Sequence, residues 1–331
     1  MTITIEQIAK MAGVSKTTVS LVINKKSKTG RISPETERKI LEIVRRTGYS
    51  PNKVARGFRL SRSQTLGLVV PDLRIPFFAE LNHEIEGIAR RNGYQLFVSC
   101  SNDNKAMELE VVNNLLAYSI EGLIVASVLN EKQLLERTYN RNAPVVFIDR
   151  EIALKNISSV ASDNYGGAYE AMRTLIANGA REIAFIGGLP DLSTSRNRFR
   201  GYRTALVDAG LTLDPSLAFQ EDYSPAGGYR MIGKAFDING RMPEAVFTAS
   251  YTLLEGVLQF VKDRLGGIPA TLRIATFDDH PLLDYLPCRI ISVRQDCIAL
   301  AKTAFKLLED SFKKPARASH VRVPPKLIVR E

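Results

Sequence analysis

Residues 4–24 read TIEQIAKMAGVSKTTVSLVIN, and their punctuation defines two short helices joined by a tight turn. Thr4 followed three residues later by Gln7 is a capping box, in which side chain and backbone satisfy each other's free groups at a helix start. Ile5, Ile8 and Ala9 then fall on one face at helical spacing. Gly13 breaks this helix, and Ser15 caps a second whose buried stripe is Val19, Val22 and Ile23. Downstream, Ser33-Pro34 is an N-cap followed by a proline in the first turn. It opens a third helix with Ile40, Leu41 and Val44 facing inward, and Gly48 ends that helix. The result is a small all-α head with one apolar centre.

The charge of the chain sits in and just after this head. Residues 1–62 contain 14 Lys/Arg against 4 Asp/Glu, whereas residues 63–331 contain 31 of each, so the whole excess of +10 lies in the first fifth of the chain. A patterned basic module joined to a neutral body reads as a polyanion-binding head. Two short helices around Ala12-Gly13-Val14 form a helix-turn-helix, whose second helix enters the major groove of duplex DNA with its N-terminal residues on base edges. Lys16 and Thr17 hold those positions, with Ser20 one turn later, while Ser15, Thr18 and Ser20 are short donors suited to phosphates. Thr4 and Asn24 complete the polar residues of the motif expected at the DNA.

The totals bound the rest. At 331 residues the chain exceeds one ordinary core and fits two or three folding units. No apolar run approaches the roughly 18–20 residues of a membrane span. Glu6 and Lys10 stand where a secretion signal would be apolar, so the expected location is cytoplasmic. Cys100, Cys288 and Cys297 form no CxxC pair, and with three histidines (His83, His280, His320) they supply neither a structural zinc site nor an expected disulfide.

After the head comes YSPNKVARGFRLSRSQT (49–65), where Ser50-Pro51 can start a helix of only about eight residues, too short to be stable alone in water. We expect it to be disordered or frayed without DNA and ordered on it. From Leu66 the apolar runs LGLVV, YQLFVS, GLIVAS, PVVFI, EIAFIGG, AVFTA, RIATF and IISV alternate with helical segments such as 78–92, 106–118, 165–178, 198–210 and 251–265. Strands alternating with helices imply parallel sheets covered on both faces, here two doubly wound halves of related architecture.

The strings IEQIAKMAGVSKTTVSLVIN, TGYSPNKVARGFR and TLGLVVPDL together resemble the lactose/galactose-repressor family of bacterial regulators over essentially the whole chain. The resemblance implies an all-α helix-turn-helix head plus an α/β periplasmic-binding-protein-like body of two doubly wound parallel-sheet subdomains. It implies a DNA-binding domain at 1–49, a hinge helix and linker at 50–63, and an effector-binding and dimerisation domain at 64–331. The two subdomains of that last domain are expected at roughly 64–161 with 291–325, and at 162–290. Two hinge helices of a homodimer would sit in the minor groove and wedge an apolar side chain into the central base step. Phe58 takes that position where leucine is usual, flanked by Asn52, Lys53, Ala55, Arg56 and Arg59. The expected partner is a pseudo-palindromic double-stranded operator.

The body carries no GxSxG, no GxxxxGK[ST] and no GxGxxG after a strand, so no enzyme activity and no cofactor are expected. Asp278-Asp279-His280 is its most enzyme-like cluster but lacks further metal ligands. By resemblance to periplasmic sugar-binding proteins, a small-molecule pocket would form at strand ends. The matching positions are Ile75 and Phe77, Asp149 and Arg150, Thr194, Arg196 and Arg198, Tyr223, Ser250 and Asp278. Carboxylates accept from sugar hydroxyls, arginine donates in a planar fork, and a tyrosine ring covers an apolar sugar face. Arg150 and Arg196 add positive charge that a neutral hexose does not need, which points to acceptance of a phosphorylated sugar. GGLPDLSTSRNRFRGYR and ATFDDHPLLDYL resemble one branch, the repressors of sucrose operons and the fructose-responsive catabolite repressor/activators. That branch implies fructose, fructose 1-phosphate or a sucrose-related ligand. The resemblance leaves induction, corepression and dual activation open. A transport-type binding protein would instead need a secretion signal and no basic head.

Overall fold

A computed structural model describes residues 3–49, 63–129, 143–152, 154, 156–313 and 318–330. The chain divides into two compact units, residues 1–63 and 64–331. The expected hinge helix, with Asn52, Lys53, Ala55, Arg56, Phe58 and Arg59, lies outside the described residues.

The head contains α1 (Ile5–Ala12), α2 (Lys16–Ile23) and α3 (Pro34–Thr47). Each start follows from its cap. Thr4 Oγ1 accepts from the Gln7 amide at 3.3 Å while Gln7 Oε1 accepts from the Thr4 amide at 2.8 Å, closing the capping box. Gly13 ends α1 at φ +71°, a left-handed conformation that glycine adopts without a Cβ penalty. Ile8, Ala9, Ala12, Val19, Val22, Ile40 and Ile43 form the core. One expectation is corrected: Leu41 is 47% exposed, and Ile43 takes its place inside. Positions 40, 43 and 44 share one face of a helix with a 3.6-residue period, and 41 lies about 100° away from 40.

The body begins with β1 (Thr65–Val70), α4 (Pro76–Arg91), β2 (Gln95–Cys100), α5 (Lys105–Ala117), β3 (Gly122–Val125), β4 (Val145–Ile148) and β5 (Ser158–Ser162). It continues through α6 (Asn164–Ala177), β6 (Ile183–Gly187), α7 (Ser193–Asp208), β7 (Ala218–Gln220), α8 (Pro225–Asn239), β8 (Ala245–Thr248), α9 (Tyr251–Leu265) and β9 (Arg273–Phe277). Then come β10 (Arg289–Arg294), α10 (Cys297–Lys313), β11 (His320–Val323) and β12 (Lys326–Arg330).

Among the described residues these strands make two six-stranded sheets, ordered β11-β5-β4-β3-β1-β2 and β12-β10-β9-β8-β6-β7. All neighbours are parallel except β12, which runs antiparallel to β10. The order repeats: the first five strands of each half lie as 2-1-3-4-5, so the chain switches direction beside β1 in one sheet and beside β6 in the other. In such open sheets ligands bind outside the carboxyl ends of the strands at the switch. Helices cover the faces. Phe185 and Phe247, both fully buried, pack against each other at 5.7 Å in the second half.

The chain passes between the halves at residues 162–164, 294–297 and 323–326. The expected boundary near 290 therefore moves. β10 completes the second sheet, with Ile291 opposite Ala275, and only afterwards does α10 cross to pack on α4 and the first sheet. β5 (SSVAS) escaped the apolar-run reading because it is serine-rich. Two of its serines are buried through side-chain bonds that spacing does not reveal: Ser159 Oγ lies 2.8 Å from His320 Nδ1, and Ser162 Oγ donates to Gln295 Oε1 at 2.5 Å.

Helix α7, which carries several strand-end side chains, packs directly on α6. A Cβ at Gly201 would lie 2.7 Å from the Tyr165 carbonyl oxygen and 2.8 Å from the Tyr169 amide nitrogen. Gly201→Ala must push two helices apart and is expected to destabilise the body by about 1–3 kcal/mol, read as a lowered midpoint in urea unfolding.

Candidate functional site

In the head, the first turn of α2 is exposed. Ser15 Oγ accepts from the Thr18 amide at 3.0 Å and lies 2.9 Å from Thr18 Oγ1, so these hydroxyls set the helix start. Lys16 and Thr17 follow, both exposed, and Lys16 Nζ reaches Glu6 Oε1 on α1 at 2.8 Å. That hydrogen bond, with the lysine charge, lowers the Glu6 carboxyl below its usual range. Ser20 and Asn24 are half-buried and joined: Asn24 Nδ2 donates to the Ser20 carbonyl at 2.7 Å and to its hydroxyl at 3.3 Å. Of the polar residues picked out by sequence, Lys16 and Thr17 are thus exposed, with the Lys16 ammonium resting on Glu6, while Thr4, Ser15 and Asn24 hold the helix ends.

The body has a pocket between its two sheets, built from strand carboxyl ends. Ile75, Phe77, Asp149, Arg150, Thr194, Arg198, Tyr223, Ser250 and Asp278 line it, together with Phe78, Asp103, Thr252 and Gln295. Nine of the ten positions read from sequence therefore converge. Arg196 does not. It is exposed and donates to the Asp191 carbonyl. Thr194 and Arg198 are four residues apart and share the inner face of α7, whereas Arg196 is rotated about 200° from Thr194. Asp103 and Gln295 went unread, though each follows a strand (β2 and β10) and occupies the kind of position that marked Asp149 and Asp278. Tyr223 lies over Gly188, where a Cβ would come within 2.1 Å of the ring, and its hydroxyl is 2.8 Å from Ser195 Oγ.

Asp149 and Asp278 correspond in the internal repeat. Each directly follows the fourth strand of its half, and each adopts a left-handed backbone, at φ +68° and +69°. Non-glycine residues held there cost about 1 kcal/mol or more and cluster at functional sites. Arg150 Nη2 donates to Asp103 Oδ1 at 2.5 Å, and its Nε is 3.8 Å from Asp149 Oδ2. Burial works against the Arg150 charge, but Asp103 and Asp149 more than offset it and hold the guanidinium protonated. Burial pushes the Asp149 carboxyl up to about 6, against the pull of Arg150 and Arg198. Burial also raises Asp278, opposed by Arg198 and by Gln295 Nε2, which donates to Asp278 Oδ1 at 2.6 Å.

Two pocket side chains are bonded to the crossings between the halves. Arg198 Nε donates to Asn164 Oδ1 at 2.8 Å, and Asp278 connects through Gln295 to Ser162. Arg198 Nη1 also donates to the Ala249 carbonyl at 2.6 Å, and its guanidinium stacks 3.8 Å from the Phe277 ring centre. The Asp278-Asp279-His280 run disperses. Asp279 pairs with Arg330 at 2.8 Å, and His280 stacks on Tyr251. Among the described residues no cluster of three His, Cys, Asp or Glu is arranged to hold a metal, and no helix is long and apolar enough to cross a membrane. The arrangement can bind a small molecule rich in hydroxyl groups.

The raised Asp149 pKa makes a stability prediction. Between its ordinary value of 3.8 and about 6 the folded chain binds this proton more tightly than the unfolded chain, so the Asp149 contribution worsens as pH rises through 6. Asp149→Asn is expected to stabilise the ligand-free protein at pH 7.5, by up to about 3 kcal/mol, with the gain shrinking towards pH 4. Thermal melts of both forms across that range check the sign.

Residues 4–52 match the lacI family of bacterial regulatory proteins, and residues 172–331 match a periplasmic binding protein-like domain. The chain is 39% identical over 306 residues to the sucrose operon repressor of Klebsiella pneumoniae, covering 92% of this chain and 91% of that one. It is 33% identical to the fructose operon regulatory protein of Vibrio cholerae, over 99% of both chains. Among solved structures it is similar to the Cra transcriptional dual regulator of Pseudomonas putida, determined with fructose 1-phosphate: TM-score 0.75, 30% identity, 81% of this chain and 99% of that one. A helix-turn-helix head, a periplasmic-binding-type body and this degree of identity over nearly full length establish that the chain belongs to the lacI family of bacterial regulatory proteins, as a transcription regulator and not an enzyme.

Proposed function

We propose that the chain is a cytoplasmic, inducible repressor of carbohydrate-utilisation genes that leaves its operator when a fructose-type sugar fills the pocket. The observation that carries this reading is the bonding of Arg198 and Asp278 to the crossings between the two halves. A ligand touching those side chains acts directly on the residues whose geometry sets how the halves meet. The family relatives named for sucrose and fructose operons support the sugar class.

The head acts in pairs, because one short recognition helix covers too few bases for a genomic site and a two-fold operator needs two copies. Lys16 and Thr17 read base edges in the major groove, and Lys16 exchanges Glu6 for a base acceptor on docking. Asn52, Lys53, Ala55, Arg56, Phe58 and Arg59 form the hinge contact in the minor groove, with Phe58 as the wedge. Ligand must favour the arrangement that disengages the heads. A tenfold loss of operator occupancy requires about 1.4 kcal/mol of differential binding.

The experiment is selection of duplexes by the full-length protein from a random pool, then titration of the winner with and without fructose. A pseudo-palindrome that binds at least tenfold more weakly with fructose is the expected result. Tighter binding with fructose would make the protein a corepressed regulator, and enrichment of no palindrome would defeat the operator reading. On that duplex Lys16→Ala should redistribute preference at one or two base positions. Lys53→Ala should weaken all sequences alike and lower the salt slope by about 1.

A further inference from the structure

We propose that the pocket selects an uncharged sugar over the phosphate ester of the same sugar, and that Asp103 and Asp278 set this choice. The inference rests on the reading above that the pocket holds a fructose-type ligand.

Charge balance is the first argument. Two guanidiniums, Arg150 and Arg198, face three carboxylates, Asp103, Asp149 and Asp278. Arg196, whose charge favoured a phosphate when read from sequence, is outside the pocket. Glu108 stands behind the same cluster, buried, accepting from the Ser127 hydroxyl and from the Val128 amide at 2.7 Å. A phosphate monoester brings about −1.5 to −2 at neutral pH into a space that already has more carboxylates than cations.

Donor geometry is the second. An arginine clamps phosphate with two parallel N–H groups along one edge of its fork. Each edge of both guanidiniums here contains a nitrogen already donating to the protein. Arg150 uses Nη2 for Asp103 and Nη1 for the Ala126 carbonyl at 3.4 Å; Arg198 uses Nε for Asn164 and Nη1 for Ala249. Among the described residues Arg150 Nε and Arg198 Nη2 make no hydrogen bond, but they are single donors on separate groups; paired acceptors are in better supply. Among the described residues no hydrogen bond reaches the Asp149 carboxylate, whereas Asp278 accepts from Gln295 Nε2 and from the Tyr251 backbone amide. Unengaged acceptors suit hydroxyl donors, which a sugar offers and a phosphate dianion does not. The Pseudomonas putida relative was solved with the ester; here the buried charges oppose one.

Asp103 and Asp278 can be changed without backbone conflict. Their φ values are +52° and +69°, a region that asparagine tolerates and glycine prefers. Asp103→Asn frees Arg150 of its closest charge partner, and Asp278→Gly removes a carboxylate that the Arg198 charge acts on. The test is calorimetric titration of the full-length protein and both variants with fructose and with fructose 1-phosphate at pH 7.5. The wild-type protein should bind fructose at least tenfold more tightly than the ester, and each variant should narrow that ratio at least tenfold. An ester bound as tightly as fructose by the wild type, or a ratio unmoved in both variants, overturns the proposal and leaves the sugar reading standing. Binding of neither compound by the wild type defeats both.

Discussion

A charge taken out of water must be answered within a few ångströms, and the cleft of this molecule is organised around that demand. Arg150 is enclosed and held by Asp103 and Asp149; Arg198 is enclosed and held by the Asn164 amide oxygen, a backbone carbonyl and the face of Phe277. Losing Arg150 would leave the Asp103 and Asp149 carboxylates without the cation that answers them. The two halves are joined separately at the crossings, where Gln295 links Asp278 of the second half to Ser162 of the first.

The internal repeat explains why these residues meet. Each half runs its strands in the same order, and each places an aspartate in a left-handed conformation after its fourth strand. Two sheets facing each other across their carboxyl ends bring both aspartates, and the arginines near them, into one space. Burying these carboxylates is unfavourable in the empty protein, as the raised Asp149 and Asp278 carboxyls record. A ligand that donates hydroxyl hydrogens to them offsets that cost.

Much of this was legible before the structure. Caps at Thr4, Ser15 and Ser33 and glycines at 13 and 48 are local signals with local causes, and the head follows them closely. Leu41 was misread because an apolar side chain near a helix face does not declare which side of the face it takes. The parallel halves followed from alternating apolar and helical segments, yet β5 and β11 were invisible, since their polar side chains are satisfied only by partners far along the chain. At the pocket, strand-end position was the informative signal: it found Asp149 and Asp278 and, applied to every strand, would have found Asp103 and Gln295. Arg196 shows the limit of reading a motif as a string, because two residues along a helix turn a side chain to the opposite face.

Charge segregation connects the two units. All the excess positive charge belongs to the first 62 residues, while the body is balanced, so attraction to a polyanion acts on the head and ligand chemistry acts on the body. Under the proposed function, control of one by the other passes through the crossings, where Gln295 bridges Asp278 and Ser162. The direct measurement is paired titration, with sugar and with operator DNA, of Ser162→Ala, which removes the bond to Gln295 and leaves the pocket lining intact. Our account predicts fructose affinity within a few fold of wild type and a DNA affinity that no longer responds to fructose. A variant that still releases DNA in full on adding fructose would contradict it.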